Sequence, residues 1–132
     1  MDREWWKIYL NEVNQIFTGE RFSNNRHSGN HRTTHIQTKC YSNSGAGAIV
    51  VAIMGGAKRV ILLGYDCQHT NGKTHWHGDH PNGLGNANRV NTWADKFAEL
   101  AKDYQQVEII NASRETALQC FQQMDLEKAL SL

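Results

Sequence analysis

The chain has 132 residues, with 14 Lys and Arg against 13 Asp and Glu and a formal net charge of +1. Hydrophobic residues make up 39% and charged residues 20%, the balance of a soluble globular protein long enough to bury a real core as one α/β domain spanning 1–132. Near-neutrality gives no overall electrostatic drive toward nucleic acid. No apolar run approaches the roughly 20 residues that a bilayer-crossing helix needs, so no membrane partner is expected.

"MDREWWKIYLNEV" opens with acids and has no continuous apolar stretch, so no signal peptide is expected. Apolar side chains at Trp6, Tyr9, Leu10, Val13, Ile16 and Phe17 recur at helical spacing, which predicts a helix over 4–17 closed by Thr18-Gly19. Residues 21–39 hold Arg21, Arg26, Arg32, Lys39, His27, His31 and His35 with no acid. That segment reads as a solvated loop or as a surface that meets an anion. Residues 35–41, "HIQTKCY", alternate weakly, as in a strand.

"SNSGAGAIVVAIMGGA" predicts a helix with Ser44 as N-cap and Gly55-Gly56 as its end, apolar on nearly all sides and so expected to be buried by neighbours. "RVILLG", residues 59–64, is a short continuous apolar run of the kind that forms a parallel strand buried on both faces. Residues 65–87 lack apolar periodicity and are rich in glycine, predicting a long loop. Residues 91–104 predict an amphipathic helix, and "VEIINAS" a third strand whose Ser113 caps a helix over 114–121. A short helix over about 125–131 ends the chain. Such alternation implies right-handed βαβ crossovers and a small Rossmann-like fold, a short parallel sheet of about three strands flanked by helices. In sheets of this kind ligands bind outside the carboxyl ends of the strands.

The densest chemistry is in "GKTHWHGDHPNGL". Thr74 to His80 matches T-H-x-H-x-D-H, the metal signature of the metallo-β-lactamase superfamily. His75, His77 and His80 offer three imidazole ligands for zinc, with Asp79 beside them as a further ligand or base. Here, however, a polar turn precedes the motif where that superfamily has an apolar strand, and no histidine follows His80. The same residues also suit metal-free acid–base work, since a histidine titrates near neutrality and Asp79 stands ready to orient one. A purely structural role, with the histidines bonding loop backbone, is the third reading. "SNSGAGA" leaves free N–H groups at a helix start, a place for phosphate at Ser44 and Gly45; its small residues equally serve close packing. Asp66, just past the "LLG" strand end, and Asn111 and Ser113, at the next one, are placed to share a crevice. Three cysteines far apart (Cys40, Cys67, Cys120) read as reduced thiols rather than a zinc site.

"SNSGAGAIVVAIMGGAKRVILLGYD" resembles the corresponding segment of bacterial sialyltransferase-like proteins and of the MptE-like pterin pyrophosphokinase group. Over nearly its whole length the chain is similar to a family of small bacteriophage and prophage proteins labelled morphogenetic. The first resemblance implies a Rossmann-like nucleotide site, which in the sialyltransferases holds CMP-sialic acid. Ser44 and Gly45 would contact the nucleotide, Asp66 would border the pocket, and the histidine loop would close over it. Longer relatives carry a further strand and a G-x-G-P-S turn ahead of a D-x-x-W-W helix, so an incomplete half-site is expected.

The sequence thus leads to a phage-type α/β protein of the host bacterial cytoplasm. It is expected to self-associate, because a three-stranded sheet leaves an unprotected edge. It would bind a nucleotide or nucleotide-derived ligand, with His75, His77, Asp79 and His80 available for group transfer or phosphoester chemistry. Two alternatives stand beside it. One is a zinc-dependent hydrolase; the other is a non-enzymatic assembly protein or a nucleotide-sequestering inhibitor of host signalling.

Overall fold

The structure is a computed structural model that describes residues 3–24, 33–73, 75 and 78–132. Among these, four α-helices and two small parallel sheets form a mixed α/β fold, the class expected from the sequence. The residues fall into two compact units: 1–39 with 81–84, and 40–80 with 85–132.

The first unit holds helix α1 (Arg3–Ile16) and the strand pair β1 (Phe22–Ser23) and β2 (Thr34–His35), joined in parallel. Trp6, Tyr9, Leu10 and Val13 are the half-buried stripe of α1, while Trp5, Ile8 and Ile16 are exposed. Arg21 secures the helix end. Its Nη2 donates to the carbonyls of Val13 (3.0 Å) and Phe17 (2.9 Å), and its guanidinium lies 5.7 Å from the Phe17 ring centre. Val13 O already accepts from Phe17 N at 3.0 Å, so the guanidinium adds a second donor there and satisfies Phe17 O, which has no helical partner. Arg21, one of the basic residues that sequence reading left facing solvent or an anion, is therefore committed to the helix. Arg26, His27, His31 and Arg32 lie outside the described residues. Of the strand expected at 35–41, only Thr34–His35 pairs, and it pairs with β1. Ile36 N still donates to Ser23 O (2.8 Å), but residues 36–40 lie outside any strand.

The second unit carries α2 (Ser44–Met54), β3 (Arg59–Leu62), α3 (Trp93–Asp103), β4 (Glu108–Asn111), β5 (Gln122–Gln123) and α4 (Leu126–Leu130). Asn43, not Ser44, caps α2. Asn43 is extended at φ −140 and its side chain accepts from Ala46 N, while Ser44 is already helical. The helix ends as its two glycines dictate. Gly56 takes φ +94, its N–H reaches Ile53 O at 2.9 Å, and Ala57 N reaches Ala52 O at 3.1 Å. That reciprocal pair is the Schellman closure, which needs a residue free to adopt the left-handed region. Ala46, Gly47, Ile49 and Val50 are buried, but Val51 (36%) and Met54 (56%) are exposed. The expected all-round burial of α2 is therefore met on one side only.

β3 and β4 pair in parallel from Arg59↔Glu108 to Leu62↔Asn111, with α3 as the crossover, and Arg59 bonds Glu108 across the pair. Leu62 and Ile109 bury against Ile49, Val50, Phe97 and Leu100. Each such side chain contributes about 1.5–3 kcal/mol on leaving water. Phe97 is central, with edge-to-face contacts to Tyr65 (5.7 Å) and Phe121 (6.2 Å). The helix expected over 114–121 does not form. Residues 114–121 are irregular and feed β5, which pairs in parallel with β4 (Ile110↔Gln122, Asn111↔Gln123). The reason is hydrogen-bond competition. Ala117 N donates to Asp66 O (2.7 Å), and Leu118 N donates to the Thr116 hydroxyl (3.0 Å). Backbone donors spent on a neighbouring segment and on a local hydroxyl cannot close helical turns. Leu118 and Phe121 still reach the core, at 0% and 7% exposure.

Candidate functional site at the carboxyl ends of the sheet

β3 ends at Leu62, and Gly64, at φ +71, turns the chain away from the sheet. β4 ends at Asn111. Beyond the backbone bonds of Ala112 N to Leu62 O (2.9 Å) and Ala117 N to Asp66 O (2.7 Å), the two ends are tied by side chains. Tyr65 N donates to Ser113 Oγ (2.8 Å), and the Thr116 hydroxyl donates to Tyr65 O (2.7 Å). Beside this seam lies an open cleft of about 1280 Å³. Gly64 and Asp66 line it from β3, Ser113 and Arg114 from β4, Gln123 from β5, and His75 from the long loop.

Asp66 and His75, both singled out from sequence, thus share one cleft. Around them stand five further charged side chains: Lys73, Arg114, Glu115, Asp125 and Glu127. Among the described residues, neither Asp66 nor these five makes an ion pair. Lys73 is presented by a tight turn in which Asn71 (φ 53) and Gly72 (φ 71) are both left-handed and Lys73 N closes on Thr70 O at 3.1 Å. Asn-Gly is the pair such a turn favours.

Asn111 is fully buried and does not line the cleft. Its Nδ2 donates to Thr116 Oγ1 (3.1 Å) and its Oδ1 accepts from Ser113 N (3.0 Å). It shapes the floor from beneath. Ser113 Oγ likewise serves Tyr65, in place of the helix-capping role read from sequence. Ser44 is an exposed first-turn residue of α2, and Gly45 is overlain by Tyr65. The Tyr65 hydroxyl donates to Gly45 O (3.1 Å), and a Cβ at Gly45 would meet the Tyr65 ring at 2.9 Å. The small residue is what lets that ring lie there. Neither Ser44 nor Gly45 is among the residues around the cleft.

His75 stacks on His80, ring centres 4.3 Å apart and 27° between planes. His80 Nδ1 lies 2.8 Å from Gly85 O. A carbonyl only accepts, so Nδ1 carries the proton and Nε2 is the lone-pair nitrogen of the neutral ring. His80 N also donates to Asn86 Oδ1 (2.9 Å). The Nε2 atom of His75 is shielded from solvent. A metal binds in the plane of an imidazole, and two rings stacked nearly face to face do not aim at one ion. Among the described residues no group of three or more His, Cys, Asp or Glu is placed to hold a metal. His77 lies outside the described residues, and Asp79 is exposed.

Burial dominates the titration of the groups behind the cleft. It raises Tyr65, with Cys67 adding to the effect. Burial, then the Asp66 charge, then Cys120, push the Cys67 thiol up to about 11. Burial also raises Cys120 and Cys40. Sequence reading missed Arg114, because a residue inside an expected helix was not considered as a cleft wall. Its place directly after the "NAS" strand end was the available signal.

Among the described residues no helix is long and apolar enough to cross a membrane. No family model matches the chain, and neither a curated protein nor a solved structure matches it.

Proposed function

We propose that the second unit binds a nucleotide or nucleotide-derived small molecule in the cleft at the carboxyl ends of β3 and β4. The observation that carries this reading is the convergence of Asp66, Lys73 and Arg114, none of them in an ion pair, at the end of a parallel sheet where α/β folds place ligands. Arg114 and Lys73 are the phosphate-facing groups, since a guanidinium can grip two oxygens while an ammonium acts as a point charge. Asp66 accepts from sugar hydroxyls. His75, stacked on His80, covers one side. His80, whose Nδ1–H is held by Gly85 O, stands behind it and does not line the cleft, so His75 is the histidine presented to the ligand for group transfer or phosphoester cleavage.

The test is a calorimetric screen of nucleoside mono- and diphosphates and nucleotide sugars. A binder is expected whose affinity falls at least tenfold in Arg114→Ala and in Asp66→Asn. Absence of binding up to millimolar ligand refutes the reading. Ligand recovered unchanged after long incubation places the protein among sequestering modules. Product that disappears with His75→Ala places it among transferases or phosphoesterases.

A further inference from the structure

Asp66, Lys73, Arg114 and His75 account for only part of the cleft wall. β3, β4 and β5 run parallel in that order, so their carboxyl ends open on one edge, about 5 Å from strand to strand. Met124 N donates to Asn111 O at 3.2 Å, which carries the β4–β5 pairing one residue further and brings the start of α4 up beside the β4 end. The wall is chemically divided. Its cations, Lys73 and Arg114, come from the segments after β3 and β4, whereas the segment after β5 supplies Asp125 and Glu127 and no cation. With Asp66 and Glu115 the cleft has four carboxylates against two cations. Among the described residues none of these six is in an ion pair. Asp125 holds the N-cap position of α4, yet its side chain makes no capping hydrogen bond. The same cleft contains Leu63 and Leu126, 57% and 38% exposed.

A phosphate chain alone matches this wall poorly. It suits Lys73 and Arg114, but it brings more negative charge to a cleft already richer in carboxylates, and like charges held together in a site oppose binding. We propose, resting on the nucleotide reading above, that the ligand is a nucleotide whose phosphates carry a positively charged group. The phosphates lie at Lys73 and Arg114, the cation lies at Asp125 and Glu127, and Leu63 and Leu126 receive its carbon framework. The neighbouring β4 and β5 ends are one strand spacing apart, so phosphate and cation sit close together in the ligand. A volume of about 1280 Å³ leaves room for the appended group, since ligand pockets commonly run to roughly 300–1,000 Å³. An alkyl ammonium and a flat pyridinium-type ring both supply this chemistry.

Calorimetric titration of the full chain with two matched pairs, in EDTA at low ionic strength, isolates the charge. NAD⁺ and NADH differ in the charge of the nicotinamide ring, and CDP-ethanolamine differs from CDP-glycerol in its ammonium. The cationic member of at least one pair is expected to bind about fivefold tighter, the scale of two exposed ion pairs, and the pair that shows it identifies the cation as ring or ammonium. In the Asp125→Asn, Glu127→Gln double variant that preference is expected to vanish while affinity for the neutral member holds or rises. Both positions are exposed and both replacements keep the side-chain shape; circular dichroism melting checks that the fold is retained. Equal affinity within both pairs, a tighter neutral member in both, or a preference that survives in the variant overturns the proposal and leaves the nucleotide reading standing. So does CDP that binds tightly only when magnesium replaces EDTA, because the metal then takes the place of the cation. Failure of all four compounds and of magnesium-loaded CDP to bind overturns both.

Discussion

Asn111 offers the sharpest test of how the cleft is built. Replacing it with alanine removes two hydrogen bonds, from Ser113 N at 3.0 Å and to Thr116 Oγ1 at 3.1 Å, at a site with no solvent exposure. Each bond is worth about 0.5–1.5 kcal/mol net, and the Ser113 N–H is left to find a new acceptor. With the small void added, the loss comes to about 2–4 kcal/mol. For a unit of this size that corresponds to a fall in Tm of roughly 10–30 °C. Urea unfolding followed by circular dichroism measures it. A double cycle with Thr116→Val isolates the pair, and the double variant is expected to lose about 1 kcal/mol less than the sum of the singles. A loss under about 0.5 kcal/mol for Asn111→Ala, or strict additivity, refutes the account. The same variant separates scaffold from contact. If Asn111 met ligand directly, as its position past a strand end suggested, affinity would fall even under conditions where the fold is fully populated.

Other outcomes follow from single features. Gly45→Ala sets a methyl 2.9 Å from the Tyr65 ring and is expected to cost about 1–3 kcal/mol, an effect that Tyr65→Leu relieves; calorimetric melting of the two variants and their combination checks this. Gly56→Ala forces a side chain into φ +94 and is expected to cost about 1–2 kcal/mol, read from the urea midpoint. Arg21→Ala frees the carbonyl of Phe17 and leaves that of Val13 with Phe17 N alone, and nuclear magnetic resonance shifts are expected to show α1 fraying over its last turn. Because Cys67 is raised from 9.0 to about 11, the folded state holds a proton that the unfolded chain releases. Stability is therefore level below pH 9 and falls as pH climbs from 9 toward 11. Tyr65 and Cys120, raised by burial, act in the same sense. Cys67→Ser is expected to flatten the decline, and an unchanged slope counts against the assignment.

Elements whose residues obey one period were readable in advance. The 3.6-residue recurrence of Trp93, Phe97, Leu100 and Tyr104 located α3, and the unbroken "RVIL" run located β3. "EIIN" located β4 in the same way. The 114–121 segment misled because Ala117, Leu118 and Phe121 carry helical spacing, while its outcome depends on Tyr65 and Asp66, far away in sequence. A helix of eight residues has little intrinsic stability to set against such bonds. The N-cap slipped by one residue because Asn43 and Ser44 are both good caps; only backbone geometry separates them. At the site, Asp66 was legible from its place after a buried strand. Asn111 was read as reaching the crevice, yet its side-chain bonds all turn inward. Ser44 and Gly45 carry a pattern that close packing against an aromatic ring satisfies as well as an anion does.

The seam between residues 65–66 and 113–117 also bears on time as well as space. Its bonds join residues 48 and 51 apart in the chain, and no local ladder or helix holds residues 112–121 until that distant partner is in place. Closing so long a loop is entropically unfavourable before other contacts shorten it. β3, α3 and β4 can assemble as a βαβ nucleus without it, so the cleft wall is expected to be the last part of the second unit to set. Ser113→Ala and Thr116→Val would then leave the refolding rate nearly unchanged and speed unfolding. Stopped-flow chevrons check this, and a refolding limb slowed in proportion to the lost stability would place the seam in the nucleus instead. On this timetable the half-made protein is a formed sheet with its cleft edge unfinished.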